Sequence, residues 1–77
     1  MSKEDLLKQQ FLEDFGTHLE KLIYRKFKSK ESFLAETGIF KANLHEILKG
    51  KVDPQLTTLW RIAEGLGIPV RDLFPSK

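Results

Sequence analysis

The hydrophobic residues recur every three or four positions along most of the chain, which is the period of an α-helix with one buried face. In the first third, Leu7, Phe11 and Phe15 begin an apolar stripe that continues for several turns. This stripe predicts either one long helix over residues 3–26 or two segments that meet near Gly16. Both alternatives stay open because a glycine inside a helix costs only about 1 kcal/mol relative to alanine.

Two shorter helices, separated by a tight turn, are predicted in the middle of the chain. Ser29 is a suitable N-cap for the first, since its hydroxyl can accept from a backbone N–H that the helix leaves unpaired. Gly38 ends this helix, because glycine takes a positive φ without steric cost. In the second, Leu44, Ile47 and Leu48 lie at i, i+3 and i+4 and form one buried face.

The last third of the chain predicts a longer helix followed by a short one. Asp53 and Pro54 favour a helix start, with an acidic N-cap and a proline at the first helical position. Gly67 ends this helix, and a last short turn of helix is expected over residues 68–74. The predicted core stripe of the longer helix consists of Leu56, Leu59, Ile62, Ala63 and Leu66. No strand is indicated, so we predict an all-α fold, a compact bundle of five helices.

The composition is that of one small globular domain. The chain has 77 residues, of which 40% are hydrophobic, and this is enough for a packed core. It has no cysteine, which excludes disulfides, thiolate metal sites and cysteine nucleophiles. No apolar run approaches the ~20 residues of a membrane span, and no signal-peptide pattern is present. We therefore expect a soluble, intracellular protein that has no membrane partner.

The distribution of charge is more informative than the net charge of +2. Five basic residues fall within ten positions before and at the first short helix: Lys21, Arg25, Lys26, Lys28 and Lys30. Lys41, Lys49 and Lys51 surround the second short helix, whereas the first fifteen residues carry four acidic side chains. Positive charge therefore coincides with the two short helices, which is typical of a nucleic-acid-binding surface. The alternative is an ordinary solvated basic face.

Catalytic and metal chemistry are not indicated by the sequence. His18 and His45 are the only histidines; they lie in different predicted elements, and no pair of carboxylates or cysteines joins either at ligand spacing. The chain also has no nucleophile–base pair and no glycine-rich phosphate loop. We therefore expect no enzymatic activity, no metal, no cofactor and no small-molecule ligand.

The two short helices resemble the helix-turn-helix of the phage-repressor family, the Cro/CI or XRE-type DNA-binding domains. Phe33, Gly38, Ile39, Leu44 and Ile47 occupy the apolar and turn positions of that family. A lone helix-turn-helix pattern carries little information, but here the resemblance continues towards the end of the chain. A loop of the form Gly-basic-x-x-Pro is followed by a helix ending in Leu-Gly and a short helix ending in Leu-Phe.

The resemblance covers residues 15–74, which are therefore expected to form the helix-turn-helix domain. Residues 1–14 precede the family's first helix and are expected to form an N-terminal helical extension, and residues 75–77 a frayed tail. The extension either lengthens the first helix and covers the core, or provides a dimer contact. Both interpretations remain open.

The resemblance implies that the second short helix enters the major groove of DNA. The family's reading positions correspond to Phe40, Lys41, Ala42, Asn43, His45, Glu46 and Lys49. Lysine and asparagine side chains can contact phosphates or base edges, and Glu46 can accept from cytosine N4. The alternative for each is a solvated surface residue, and Glu46 can instead pair with Lys49 at i+3.

Several positions depart from the family pattern. Lys30 stands where the family usually has a glutamine that contacts a DNA phosphate. We expect Lys30 to contact the phosphate through its positive charge instead. Phe40 replaces a small polar cap, and is expected either to contact a thymine methyl or to fold back on the core. Leu34 replaces a small alanine between the two helices. Ile23 and Leu48 replace an arginine–glutamate pair, so we expect them to pack directly.

The resemblance implies sequence-specific regulation of transcription by a bacterial or phage-encoded protein in the cytoplasm. Such a protein is expected to bind a palindromic operator in double-stranded DNA as a homodimer. The expected dimer contacts are apolar: Leu7, Phe11, Trp60, Val70 and Phe74. For Trp60 the alternative is a half-buried place in the core. The alternative function is a protein-interaction module on the same fold, antitoxin-like, without sequence-specific DNA reading.

Overall fold

The computed structural model describes residues 2–75 and is helical, without strands, over that range. Its elements are α1 (Lys3–Lys26), α2 (Lys30–Thr37), α3 (Lys41–Leu48), α4 (Leu56–Leu66) and a 3₁₀ turn (Val70–Leu73). The all-α prediction is confirmed, but residues 2–75 contain four α-helices and not five. The fifth cannot extend into an α-helix because Phe74 precedes Pro75, which keeps Phe74 in an extended conformation. Residues 76 and 77 of the predicted tail lie outside the described residues.

The first helix is one continuous element of 24 residues. The alternative of two segments that meet near Gly16 is therefore wrong. The hydroxyl of Ser2 accepts from the backbone N–H of Asp5 at 3.1 Å and caps the helix. Gly16 lies inside the helix without breaking it. A Cβ at this position would lie 2.8 Å from the carbonyl oxygen of Ile47 and closer still to that of Leu48. The glycine therefore allows close contact between α1 and the end of α3.

The first helix of the helix-turn-helix, α2, begins and ends at the predicted residues. The Ser29 hydroxyl accepts from the backbone N–H of Ser32 at 3.2 Å and caps α2. Gly38 ends α2 in the left-handed region, with φ of 73°. Thr37 strengthens the turn, since its hydroxyl donates to the Phe33 carbonyl at 2.9 Å.

The start of α4 differs from the prediction. The helix begins at Leu56, with Gln55 as its N-cap, so Asp53 and Pro54 lie before it in the loop. Leu56 was expected in the core stripe but is 73% exposed. Side chains of a helix tilt towards its N-terminus, so that of the first residue projects past the end of α4. The rest of the stripe is buried as predicted.

The core combines residues from every element of the fold. Its buried members are Phe15, Leu19, Ile23, Phe33, Ile39, Leu44, Ile47, Leu48, Leu59, Ile62, Ala63, Leu66 and Leu73. Within residues 2–75 no polar or charged residue is buried, so apolar burial holds the elements together. No helix in this range is both long and apolar enough to cross a membrane.

Candidate nucleic-acid interface

The third helix buries one face and exposes the other, as its hydrophobic spacing predicts. Leu44, Ile47 and Leu48 are in the core. The positions that correspond to the family's reading residues are exposed, apart from Glu46, which is half-buried: Phe40, Lys41, Ala42, Asn43, His45, Glu46 and Lys49. The fold therefore presents these side chains together on one surface, which is the arrangement that a helix needs to read a major groove.

Phe40 is the N-cap of α3 and is 83% exposed. Its backbone carbonyl accepts from the Leu44 N–H at 3.1 Å, but its side chain cannot cap the helix. The alternative that Phe40 folds back on the core is therefore wrong. An exposed aromatic ring at the start of α3 can make apolar contact with a thymine methyl or with another protein.

Lys30 begins α2 but is held by a carboxylate on α1. Its ammonium lies 3.1 Å from Glu20 Oε2, and its side chain is one-third exposed. The hydrogen bond with Glu20 raises the pKa of Lys30 above its ordinary value. A phosphate at this end of α2 would therefore compete with Glu20 for the Lys30 ammonium.

Glu20 was not identified as a functional residue from the sequence. It lies ten positions before Lys30, in another helix, so no local spacing links the two. The one feature of the sequence that could have indicated an acidic partner is Lys30 itself, because a lysine in place of the family's neutral glutamine favours a carboxylate nearby. A looser pair joins Lys41 to Glu31 at 3.9 Å, between two exposed side chains.

The turn after α3 carries a lysine on each side of Gly50. Lys49 and Lys51 are both exposed, whereas Gly50 is buried and has φ of 72°. The backbone N–H of Lys51 donates to the Glu46 carbonyl at 3.0 Å, which closes the turn. Among residues 2–75, Glu46 has no ion pair within 4.0 Å, so the alternative pairing of its side chain with Lys49 is not observed.

This turn also contacts the N-terminal extension, which the sequence did not indicate. Gln9 Nε2 donates to the Gly50 carbonyl at 3.1 Å and to Glu13 Oε2 at 3.0 Å. The i,i+4 spacing of Gln9 and Glu13 is visible in the sequence. Their partner, however, lies 41 positions from Gln9 along the chain, and no pattern in the sequence indicates it.

The candidate dimer residues do not form one surface. Phe11 and Phe74 lie together, with ring centroids 6.3 Å apart, and Leu7 is 62% exposed on the same helix as Phe11. Val70 packs partly against the core. Trp60 is 56% exposed, so it is not a core residue, and it borders a shallow depression beside the end of α2.

An apolar groove of about 200 Å³ adjoins the Phe11–Phe74 pair. Its apolar lining is formed by Phe11, Leu12, Phe15, Pro54, Leu59 and Phe74. Within residues 2–75, no three acidic or histidine side chains come together in an arrangement that could hold a metal ion.

Comparison with known proteins places the chain in a family. The model of the Cro/C1-type HTH DNA-binding domain matches residues 18–75. The crystal structure of the restriction-modification controller protein C.AhdI from Aeromonas hydrophila is similar, with a TM-score of 0.76 and 27% sequence identity. The similarity covers 82% of this chain and 96% of the controller protein. No curated protein sequence matches this one. Because the family model covers most of the chain, the protein belongs to the family of Cro/C1-type helix-turn-helix DNA-binding domains.

Proposed function

We propose that this protein regulates transcription by binding a specific, palindromic DNA sequence as a dimer, with α3 in the major groove. The observation that carries the proposal is the orientation of α3. Its apolar face is buried in the core, while Asn43, His45 and Lys49 are exposed on the other side. In a member of this DNA-binding family, that exposed face is the one that reads base edges.

Different side chains have different roles in this proposal. Lys30, Lys41 and Lys49 contact phosphates, which supply affinity without sequence preference. Asn43 and Glu46 contact base edges, where an amide matches adenine and a carboxylate matches cytosine N4. Phe40 and Ala42 contact thymine methyl groups. His45 belongs to the same DNA-facing surface. Residues 15–74 form the DNA-binding domain, and residues 1–14 are an addition to it.

A dimer follows from the geometry of operator recognition. Two-fold symmetry would place two α3 helices in successive major grooves, ~34 Å apart, on a palindromic site. The exposed pair Phe11 and Phe74, beside the apolar groove, is the dimer contact that we propose first. Leu7, Val70 and Trp60 are further candidates. Similarity to a restriction-modification controller protein favours a regulatory role.

The experiment that tests this function is selection of bound sequences from a random duplex library at fixed salt concentration. We expect enrichment of one palindrome with two half-sites about one helical turn apart. The salt concentration must be held fixed because phosphate contacts make affinity strongly salt-dependent. Binding without any enriched sequence would contradict the proposal.

A second candidate function is a protein-interaction module that keeps the fold but does not read DNA. One observation favours it: Phe40, at the start of the reading helix, exposes 83% of its surface. Exposed aromatic side chains are frequent in protein interfaces. Absence of an enriched sequence, together with binding of a protein through Phe40, would support this function instead. Phe40→Ser would then abolish the protein contact.

A further inference from the structure

The N-terminal extension contacts the DNA-binding domain at the turn after α3, in addition to the Phe11–Phe74 pair. The family model begins at residue 18, so the first four turns of α1 lie outside it. These turns are not isolated from the rest of the fold. Gln9 Nε2 donates to the backbone carbonyl of Gly50 at 3.1 Å, which joins the extension to the turn after α3. Gln9 also donates to Glu13 at 3.0 Å, and this bond orients its amide.

The backbones of the extension and of this turn are in direct contact. Gly50 is buried and has a positive φ. A Cβ at this position would lie 2.9 Å from both the Cα and the backbone nitrogen of Glu13. The same Cβ would lie 2.8 Å from Glu13 Cγ, so the turn packs directly against Glu13 of α1. A glycine is required here both for the backbone conformation and for the close approach.

A second close contact lies one turn further along α1. Gly16 faces the carbonyl oxygens of Ile47 and Leu48, at the end of α3. Gln9, Glu13 and Gly16 are spaced i, i+4 and i+7, so they form one face of α1. This face holds both the last turn of α3 and the turn that follows it.

The turn that makes these contacts carries two lysines. Lys49 and Lys51 flank Gly50, and both side chains are exposed. We propose that residues 3–14 are a strut that fixes the backbone of Lys49 and Lys51 in the orientation needed to contact DNA phosphates, with Gln9 as a positioning residue. This inference rests on the proposed function. Contacts that are positioned before binding cost less ordering when the complex forms.

The neutral amide of Gln9 suits this role. It donates to a carbonyl without bringing negative charge towards the phosphates. A glutamate at position 9 would have nearly the same shape, but its carboxylate could not donate to Gly50 and would repel Glu13. The adjacent Gln10 provides a matched control, because it donates to Asp14 Oδ1 at 2.8 Å on the same helix and has no hydrogen bond to the turn.

The test compares Gln9→Glu with Gln10→Glu in the full-length protein. Each substitution adds one negative charge, preserves side-chain size and removes one i,i+4 hydrogen bond. In the free protein, we expect faster amide hydrogen exchange at Gly50 and Lys51 in Gln9→Glu only. On a selected duplex, Gln9→Glu should bind about tenfold more weakly than Gln10→Glu. The slope of log affinity against log salt should also fall, by ~0.9 for each phosphate that the displaced lysines no longer neutralise.

The outcomes separate the strut from the proposed function. Equal exchange rates and equal DNA binding in the two variants would overturn the strut. Faster exchange in Gln9→Glu with an unchanged salt slope would also overturn it, because the contact would then be structural only. In both cases wild-type binding to the selected duplex would leave the proposed function intact. If the wild-type protein enriches no sequence, the proposed function itself fails, and the positioning role fails with it.

Discussion

At the scale of single residues, Gly16 decides how closely α1 packs on α3. A side chain there would meet the carbonyl oxygens of Ile47 and Leu48. These belong to the backbone and cannot rotate away, so the two helices would have to separate. A glycine therefore suits this position inside the helix despite its cost of about 1 kcal/mol relative to alanine.

We expect Gly16→Ala to lower the free energy of unfolding by about 2 kcal/mol, because overpacking a core contact outweighs the gain in helix propensity. Thr17→Ala is the control, since it adds the same residue at the next, exposed position of α1. Urea denaturation of both variants gives the comparison. Wild-type stability in Gly16→Ala would show that the helices do not approach so closely.

The ion pair between Lys30 and Glu20 predicts a dependence of stability on alkaline pH. The pKa of Lys30 in the folded protein is raised above its ordinary value of 10.5, chiefly by the hydrogen bond with Glu20. Its stabilising contribution is therefore complete below that pH and is lost as the pH rises through the folded-state pKa. Because both side chains are partly exposed, the contribution is expected to be below about 1 kcal/mol.

Glu20→Gln should remove this alkaline loss of stability, and it should also free the Lys30 ammonium for a phosphate. We therefore expect tighter binding to random duplex than in the control Glu64→Gln, which removes the same charge from α4. Chemical denaturation at pH values on either side of 10.5, and binding titrations at fixed salt, measure the two effects. Identical DNA binding by the two variants would mean that Lys30 does not contact phosphate.

Substitution of a side chain proposed to contact a phosphate should change DNA affinity differently from substitution of one proposed to contact a base. Lys49→Ala should weaken binding to every duplex alike and reduce the salt slope by ~0.9. Asn43→Ala and Glu46→Ala should each cost ~1–3 kcal/mol on the preferred site and little on random DNA. Titrations on both duplexes separate the two classes. If no variant changes either affinity, α3 is not the reading helix.

At the scale of elements, α1 and α3 each bury an apolar residue at a position where the family usually has one member of an ion pair. Ile23 is fully buried and Leu48 is 8% exposed, and both belong to the core. A hydrophobic replacement of a buried ion pair is often neutral or stabilising, since neither charge has to be removed from water. Direct packing of these two side chains remains a prediction.

A double-mutant cycle tests whether Ile23 packs directly on Leu48. Ile23→Arg alone should destabilise the protein by about 3 kcal/mol, because it buries an unpaired charge. Addition of Leu48→Glu should recover much of this loss by restoring the family's pair. Leu48→Glu alone completes the cycle, with urea denaturation as the measurement. Additive losses would show that the two side chains do not meet.

At the scale of the whole molecule, the exposed apolar surface predicts self-association. Phe11 is 53% exposed and Phe74 36%, and an apolar groove adjoins both; contiguous exposed apolar surface marks an interaction site. Leu73, by contrast, is fully buried, so the short turn at the end of the chain offers less free apolar surface than its sequence indicates.

We expect the wild-type protein to be dimeric at micromolar concentration, and Phe11→Gln to shift it towards monomer because the substitution removes the ring that pairs with Phe74. Leu6→Gln is the control, as Leu6 is similarly exposed on the same helix, at 56%, but is not a predicted contact. Light scattering with and without the selected duplex measures the mass. A monomer under both conditions would contradict dimer formation.

Much of the fold could be predicted because its signals are local. The Ser29 cap and the Gly38 turn each depend on residues within about four positions, and a serine or glycine favours the same conformation in many contexts. The core face of α3 follows from its period for the same reason. The two predictions that failed concern a chain end and a loop: Pro75 keeps Phe74 extended and prevents a fifth α-helix, and α4 begins at Leu56, two residues after Pro54.

Spacing along the chain was enough to predict the helices and most of their buried faces, and the resemblance to a known family indicated DNA binding. The folded structure was needed to show that Gln9 binds the carbonyl of Gly50, that Glu20 holds Lys30, and that Phe11 meets Phe74. Each of these contacts joins residues from different elements. The distance between the two residues of each pair is set by how the helices pack. The periodicity of the sequence shows which face of a helix is buried, but not which residues of another helix it contacts.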